Sequence, residues 1–209
     1  MGKTTRILIV SAATGNGHLR AGEALKAVIQ QRKPGWRVEH LDVLTLAPRW
    51  VRLAYGGGFE LLAARAPRVW GGIYRWADGP EGDHARWAAL AERTVFRAFR
   101  RLLLRGGWDL CLCTHFLPAQ LAAGRAGMPP FALVVTDYTL HRFWAQPRVH
   151  RYFVASDALA ADILARLPEA VVRVTGIPVH PSFAQPASRI DACHGIGVDP
   201  MRPVITIMG

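Results

Sequence analysis

A short run of apolar residues near the start of the chain limits its fold more than any other feature. Residues 7–10 (Ile-Leu-Ile-Val) are continuous and apolar, and a glycine-containing turn follows at residues 14–18. Such runs are typical of parallel strands that are covered on both faces of a sheet. Residues 19–31 then repeat apolar side chains at helical spacing, and residues 36–43 have the pattern of a second strand. We therefore predict a first strand at residues 6–13 and a right-handed βαβ unit.

Strands and helices alternate along most of the remaining chain. The pattern predicts helices at 85–105, 118–125 and 158–167, and strands at 108–114, 130–136, 151–155 and 171–175. This alternation predicts an α/β fold with a Rossmann-like doubly wound parallel sheet, which we place at residues 1–176. Residues 177–201 contain several prolines and are predicted as an interdomain linker, and residues 202–209 as the first strand of a second, truncated domain.

The composition limits the kinds of partner and the compartment. The net charge is +11 at pH 7 and comes mostly from arginine, which favours nucleic acid, anionic lipid or a phosphorylated ligand as a partner. The three cysteines have no metal-type spacing and are interpreted as small, reduced apolar residues. No apolar run reaches the roughly 20 residues that span a bilayer, and the first residues lack the apolar core of a signal peptide. We therefore predict a cytoplasmic protein.

Polar residues at the predicted ends of strands are the candidates for a site. In open α/β sheets, ligands bind outside the carboxyl ends of the strands, near the switch point of the topology. Four such groups follow predicted strands: residues 14–18 (Thr-Gly-Asn-Gly-His), Thr114 with His115, residues 136–138 (Thr-Asp-Tyr) with His141, and Ser156 with Asp157. Their convergence on one crevice follows from the fold and does not by itself indicate chemistry.

The turn at residues 14–18 offers backbone N–H groups and the positive end of a helix to a ligand. It does not match the dinucleotide fingerprint, because Arg20 stands where the third glycine is required. Gly2-Lys3-Thr4 resembles the end of a P-loop but precedes the strand instead of following it, which excludes that motif. Near the helix dipole, His18 is expected to have a lowered pKa and could act as a general base, or it could be a bystander.

A second informative segment lies between residues 136 and 144. Asp137 ends an apolar strand and precedes His141 by four residues. Asp137 could cap a helix and pair with His141, or it could orient a catalytic imidazole; the spacing alone leaves both interpretations open.

Residues 47–77 combine aromatic side chains with arginine. This mixture suits stacking on nucleic-acid bases or contact with a membrane interface. We interpret the segment as an interface and the arginines near residue 93 as a solvated helical face. The side chains expected to face a membrane are Trp50, Arg52, Tyr55, Phe59, Trp70 and Trp76.

Four short blocks, taken in chain order, add a resemblance to a known family. They are residues 7–18, residues 134–138 with His141 and Trp144, residues 152–156, and residues 176–179 with Phe183. Together these blocks resemble the monogalactosyldiacylglycerol synthases and the bacterial diacylglycerol glucosyltransferases. The resemblance implies a GT-B fold, in which two Rossmann-like domains face a cleft, and this chain resembles the N-terminal, acceptor-binding domain.

The resemblance also implies roles for individual residues. Residues 15–18 align with the family's GGGH block, with Asn16 in place of the middle glycine, and His18 becomes the base that deprotonates the acceptor hydroxyl. The implied acceptor-binding residues are Gly15, Asn16, Gly17, His115, Thr136, Asp137, Tyr138, His141 and Trp144. The implied partners are a diacylglycerol-type acceptor, a UDP-sugar donor and an anionic membrane surface at the inner face of the cell membrane, with no nucleic acid, metal or cofactor.

The expected activity is therefore inverting transfer of a hexose from a UDP-sugar to diacylglycerol in glycolipid synthesis. Because the donor domain is expected elsewhere, this chain alone is expected to be inactive. Two enzyme alternatives stay open at this point: a relative that glycosylates a lipid-linked peptidoglycan intermediate, and a nucleotide-binding Rossmann oxidoreductase. A third alternative is a domain that binds a membrane or nucleic acid without cleft chemistry.

Overall fold

The computed structural model describes residues 3–49, 52, 96–185 and 188–207. Most of the predicted membrane-facing side chains, namely Trp50, Tyr55, Phe59, Trp70 and Trp76, therefore lie outside the described residues. Arg52 is described and exposed. The interface predicted at residues 47–77 stays a prediction.

A parallel sheet of six strands forms the centre of the fold. The strands are β1 (Arg6–Ser11), β2 (Arg37–Asp42), β3 (Leu110–Cys113), β4 (Phe131–Val134), β5 (Arg151–Val154) and β6 (Val172–Val174). Their order is β2-β1-β3-β4-β5-β6, and each neighbouring pair is parallel. The predicted α/β, Rossmann-like parallel sheet is confirmed.

Helices connect the strands, and most lie where the apolar spacing predicts them. In the described part of the chain these are α1 (Asn16–Arg32), α2 (Arg97–Gly106), α3 (Phe116–Ala122), α4 (Asp157–Arg166) and α5 (Arg189–Gly195). Helix α3 begins before its predicted start at residue 118, because the His115 side chain accepts a hydrogen bond from the Leu117 N–H and caps it. Pro118 then falls in the first turn, where a missing N–H breaks no helical hydrogen bond.

Two differences concern the end of the chain. Helix α5 lies inside the segment that the prolines indicate as a linker; Ser188 caps it by accepting from the Asp191 N–H. Residues 203–207 form no strand, and Ile205 and Ile207 are exposed. A strand needs a hydrogen-bonding neighbour, and the described residues place none beside this segment. The proposed division into domains stays a prediction.

Apolar side chains cover both faces of the sheet. Leu8 and Val10 belong to one buried cluster, whereas Ile7 and Ile9 belong to another, as expected where successive side chains of a strand point to opposite faces. This two-sided burial explains why the run at residues 7–10 is continuous instead of alternating. Cys111 and Cys113 share one face of β3 and are buried free cysteines, as the sequence predicts.

The strand order places the topological switch point between β1 and β3. From β1 the chain proceeds to β2 on one side, and it later returns to β3 on the other side. The loops that leave the carboxyl ends of β1 and β3 therefore diverge and open a crevice between them. The turn before α1 and the residues Thr114 and His115 stand at this crevice.

Gly22 allows α1 to approach the sheet closely. A Cβ atom at this position would lie 2.3 Å from His40 Nε2 and 2.6 Å from Ser11 Oγ, so an added methyl group cannot fit without displacement. We expect Gly22→Ala to lower the free energy of unfolding by about 1–3 kcal/mol, the usual cost of overpacking a tight contact. Urea unfolding monitored by circular dichroism would measure this change.

The matched control is Gly195→Ala in α5, where an added Cβ meets nothing within 4 Å. This exposed substitution should alter the free energy of unfolding by no more than about 0.5 kcal/mol. Equal stability of Gly22→Ala and wild type would show that α1 does not approach β1 and β2 this closely.

Candidate active site

His18 lies in the first turn of α1, at the carboxyl end of β1. The residue before the helix, Gly15, has φ 139° and ψ 154° and supplies no side-chain cap. A side chain is strained at this φ, so the turn requires glycine here. Gly17 has no such requirement, since it shows no positive φ and has open space around it. Asn16 and Gly17 are both exposed.

The ring of His18 is held through its Nδ1 atom. Nδ1 lies 3.0 Å from the Thr114 carbonyl oxygen and 2.6 Å from Thr136 Oγ1. A carbonyl oxygen can only accept a hydrogen bond, so Nδ1 carries the hydrogen and the Thr136 hydroxyl donates to the same carbonyl at 3.3 Å. In a neutral imidazole this leaves Nε2 with the lone pair, the atom that can accept a proton.

Asp137 faces that atom across the crevice. Its Oδ1 lies 3.8 Å from His18 Nε2, a separation beyond a direct hydrogen bond. Its Oδ2 accepts a hydrogen bond from Trp144 Nε1 at 2.7 Å and lies 3.4 Å from His141 Nε2. Trp144 is fully buried and fixes the carboxylate, whereas the His18 and Asp137 side chains keep 15% and 32% of their surface exposed.

Burial and charge together keep the His18 ring neutral and the Asp137 carboxyl group ionised. Burial lowers the pKa of His18, and the nearby Asp137 carboxylate offsets part of that shift. Burial alone would raise the pKa of Asp137, but hydrogen bonds from His141 and Trp144 and the charge of His18 outweigh it, so its pKa is lowered. Near neutral pH the site therefore holds a neutral imidazole beside an ionised carboxylate.

His115 is a buried residue that packs against His18 and caps helix α3. It is only 4% exposed, and its ring packs edge-on against the His18 ring with centroids 4.7 Å apart. Its Nδ1 accepts the hydrogen bond from the Leu117 N–H that caps α3, at 3.1 Å. Burial lowers its pKa to about 3, and the neighbouring His18 adds to that effect. His115 is thus a neutral wall of the site, and a contact with an acceptor stays a prediction.

His115 should make the stability of the fold sensitive to acid. Its pKa falls from 6.5 to about 3 on folding, so between these values the unfolded chain binds one more proton and stability decreases as the pH decreases. The contribution near pH 5 is about 1.4 kcal/mol per pH unit. Asparagine is also a good helix cap, so we expect His115→Asn to reduce the slope of unfolding free energy against pH by about this amount.

Urea unfolding at intervals from pH 4.5 to pH 8 would measure both slopes. Above pH 7.5 the two slopes should coincide, because His115 is neutral in both states there, and this range is the internal control. If the slope near pH 5 is the same in wild type and His115→Asn, the ring of His115 is not held neutral in the fold.

Of the remaining candidate residues from the sequence, one is open to a ligand at the crevice and another has a structural role. Tyr138 is 88% exposed beside Asp137, where a ligand can reach it. Ser156 caps α4, because its Oγ accepts from the Leu159 N–H at 3.3 Å, and this assigns it a structural role. In the part of the chain that the structure describes, no group of three or more His, Cys, Asp or Glu side chains could hold a metal ion.

Sequence reasoning missed several residues of the site. Phe116 and Phe143 stack with centroids 5.4 Å apart and an interplanar angle of 20°, and the Phe116 ring lies 5.0 Å from the His141 ring. They form an aromatic surface against the His141 ring. Their positions next to His115 and His141 in the sequence could have indicated them. Ser11 and His40 were also missed: Ser11 lies within the block at residues 7–18 but received no role there, and His40 lies in none of the motifs.

Comparisons with known proteins identify the family to which the chain belongs. The family model for monogalactosyldiacylglycerol (MGDG) synthase matches residues 18–179. A processive diacylglycerol beta-glucosyltransferase of Staphylococcus carnosus is 36% identical over 212 residues, which cover 96% of this chain and 51% of the relative. The chloroplastic monogalactosyldiacylglycerol synthase of Spinacia oleracea is 26% identical over 214 residues, which cover 98% of this chain and 41% of the relative.

A third relative is described only by its class. The uncharacterized glycosyltransferase YkoN of Bacillus subtilis is 25% identical over 178 residues, which cover 83% of this chain and 47% of the relative. The chain spans about half the length of the curated relatives it matches. The family model covers most of the chain, and the resemblance read from the four sequence blocks is confirmed. The chain belongs to the monogalactosyldiacylglycerol synthase family.

Proposed function

We propose that this chain is the acceptor-binding, base-bearing part of an inverting glycosyltransferase that transfers a hexose to diacylglycerol. One observation carries the proposal: a neutral imidazole, His18, has Nδ1 fixed by a carbonyl and directs Nε2 toward the Asp137 carboxylate at the switch-point crevice. Activation of an alcohol needs a base of this kind. The family membership does not support the alternative of a Rossmann oxidoreductase.

The names of the relatives support the substrate class. Relatives of 36% and 35% identity are called processive diacylglycerol beta-glucosyltransferases, and others are called monogalactosyldiacylglycerol synthases. Sugar nucleotides such as UDP-glucose carry the sugar through an α-linked phosphate. A β-linked product formed in one displacement therefore requires inversion at the anomeric carbon, which supports an inverting mechanism for this chain.

The proposed step is a single displacement. His18 Nε2 takes the proton of the acceptor hydroxyl as its oxygen attacks the anomeric carbon, and the bond from that carbon to the UDP phosphate oxygen breaks as UDP leaves. The sugar gains a bond to the acceptor oxygen and loses one to phosphate. Asp137 stabilises the imidazolium that forms, because its carboxylate lies 3.8 Å from Nε2.

The donor is proposed to bind mainly to a second domain that faces this crevice, with no metal and no cofactor. The relatives are about twice the length of this chain, which leaves room for such a domain. The test is transfer of radiolabelled hexose from UDP-glucose or UDP-galactose to diacylglycerol in mixed micelles, by a protein that contains this chain and a donor domain. A labelled glycolipid on thin-layer chromatography is expected. Transfer only to a lipid-linked peptidoglycan intermediate, supplied in a parallel reaction in place of diacylglycerol, would overturn the proposal, as would no transfer in either reaction.

The proposed location is the inner face of the cell membrane, in peripheral contact. Among the described helices, none is long and apolar enough to cross a bilayer. The basic, aromatic-rich residues 47–77 are the proposed contact, since arginine meets anionic headgroups and tryptophan prefers the interface.

Membrane contact leads to a direct prediction about three tryptophans. Replacing Trp50, Trp70 and Trp76 together with alanine should lower the fraction of protein that sediments with phosphatidylglycerol-containing vesicles by at least about tenfold. Each substitution removes an aromatic side chain from the proposed membrane contact. Trp36, which lies outside this segment, provides the control as Trp36→Ala. Unchanged vesicle binding by a folded triple variant would place the membrane contact elsewhere.

A further inference from the structure

We propose that His40 is a positioning residue for His18, acting through the buried hydroxyls of Ser11 and Thr114. Its consequence for catalysis rests on the proposed function, but its effect on the His18 ring does not. His40 lies on β2, one strand away from the crevice, and none of the sequence motifs includes it.

Three short contacts connect His40 to the backbone of His18. His40 Nε2 lies 2.7 Å from Ser11 Oγ, and Ser11 Oγ lies 2.7 Å from Thr114 Oγ1. The Thr114 hydroxyl then donates to the His18 carbonyl oxygen at 2.8 Å. The chain of contacts therefore crosses from β2 through β1 to Thr114, directly after β3, and ends on the first turn of α1.

The number of hydrogens on these groups determines which group donates in each of the three contacts. The Thr114 hydroxyl has one hydrogen, and the His18 carbonyl uses it. Ser11 must therefore donate to Thr114 at 2.7 Å, since otherwise two oxygen lone pairs would face each other at that distance. Ser11 then has no hydrogen left for His40, so Nε2–H of His40 donates to Ser11. Each short contact receives one hydrogen only in this arrangement.

Burial makes this series of hydrogen bonds dependent on His40. Ser11 and Thr114 are both 0% exposed, so neither hydroxyl is open to water while the His40 ring is in place. Gly22 closes the remaining side, because a Cβ there would lie 2.3 Å from His40 Nε2 and 2.6 Å from Ser11 Oγ. Loss of the His40 donor would free Ser11 to turn away from Thr114 and toward the His18 carbonyl, which it reaches at 3.2 Å.

Such a change would reach the catalytic ring directly. Thr114 holds His18 twice, through its hydroxyl on the His18 carbonyl and through its own carbonyl on His18 Nδ1. If the Thr114 hydroxyl loses the hydrogen bond that Ser11 donates, both contacts between Thr114 and His18 are expected to loosen together. Because Nε2–H is present in the neutral and in the protonated ring of His40, this positioning does not require titration of His40.

The test compares His40→Ala with His40→Gln by ¹⁵N NMR of the imidazole of His18. Wild type is expected to show the Nδ1–H tautomer, and His40→Ala a shift toward a mixture of the two tautomers. Glutamine places an amide N–H near the position of Nε2, so His40→Gln should restore the wild-type spectrum. The control is His150→Ala, which replaces an exposed histidine at the amino end of β5 and should leave the His18 signals unchanged.

Ser11→Ala provides a second route to the same result. It breaks the contact between His40 and Thr114 and should shift the His18 signals as His40→Ala does, with no further shift in the double variant. Unchanged His18 signals in folded Ser11→Ala or His40→Ala would overturn the proposal, as would independent, additive shifts in the double variant.

Enzyme kinetics separate this inference from the proposed function. In a protein that transfers the sugar, His40→Ala should lower kcat by about tenfold to a hundredfold and leave KM for the donor unchanged, as expected for a misplaced catalytic group. If the His18 signals shift but no transfer is found even in wild type, the positioning role stands and the proposed function fails. If transfer is found and neither the signals nor kcat respond to His40→Ala, the positioning role fails alone.

Discussion

Replacing His18 with asparagine is expected to lower the kcat for glycosyl transfer by about a thousandfold, within the range of a lost general base. Asparagine keeps an N–H near the position of Nδ1, which donates to the Thr114 carbonyl at 3.0 Å in the structure. It removes only the Nε2 side of the ring, the atom that faces Asp137. The loss should therefore appear in kcat, with the fold and the KM for the donor preserved. Transfer of radiolabelled hexose to diacylglycerol would measure it.

His150→Asn is the matched control for this experiment, because His150 is exposed and lies at the amino end of β5, whereas the site lies at the carboxyl ends of the strands. Its kcat should equal that of wild type. A folded His18→Asn variant that keeps kcat within about fivefold of wild type would exclude His18 as the base, because base removal costs about a hundredfold or more. Asp137 would then be the next candidate for that role.

Replacing Asp137 with asparagine is expected to lower kcat by about a hundredfold, the cost of losing one preorganised electrostatic group. Asparagine retains an oxygen for the Trp144 N–H, which donates to Asp137 at 2.7 Å. It removes the charge that stabilises the imidazolium of His18. Because the Asp137 carboxylate raises the pKa of His18, the same substitution should lower that pKa further below 6.5. An NMR titration of the His18 ring would follow this shift alongside the kinetics.

Asp162→Asn is the control for charge, since Asp162 is exposed within α4 and belongs to none of the candidate groups for the site. It should change neither kcat nor the His18 titration. A rise in the pKa of His18 in Asp137→Asn would contradict the electrostatic role assigned to the carboxylate. A normal kcat with a lowered pKa would show that the carboxylate affects the ring without contributing to the reaction.

The fold could be predicted because its strands and helices follow from patterns of apolar residues that are close together in the sequence. The continuous apolar run at residues 7–10 requires cover on both faces, and the structure buries Leu8 and Val10 on one face and Ile7 and Ile9 on the other. The bounds of elements were less predictable. Helix α3 starts at Phe116 instead of residue 118, because a cap depends on whether the His115 side chain turns back onto the backbone. Apolar spacing carries no information about that choice.

The candidate site was predictable only in part: the meeting of its strand-end residues was expected, whereas Phe116, Phe143, Ser11 and His40 and the contacts between the residues were not. Parallel strands bring their carboxyl ends to one edge, so His18, Thr114 and Asp137 were expected to meet there. The sequence could not show that Nδ1 of His18 faces the Thr114 carbonyl, which assigns the lone pair to Nε2. It also left open whether Asp137 serves His141 or His18, and the structure places the carboxylate within 3.4 Å and 3.8 Å of the two rings.

The sequence by itself therefore determined the α/β class, the parallel order of local βαβ units, the turn that carries His18 and the resemblance to the family. Each of these depends on residue types within short stretches of chain and on the order in which those stretches follow one another. Only the tertiary structure decided the tautomer of His18, the capping role of His115 and the contact of His40 with Ser11, which is 29 residues away along the chain. The physical reason is that hydrogen-bond direction depends on which buried groups meet across strands, and a sequence does not record those meetings.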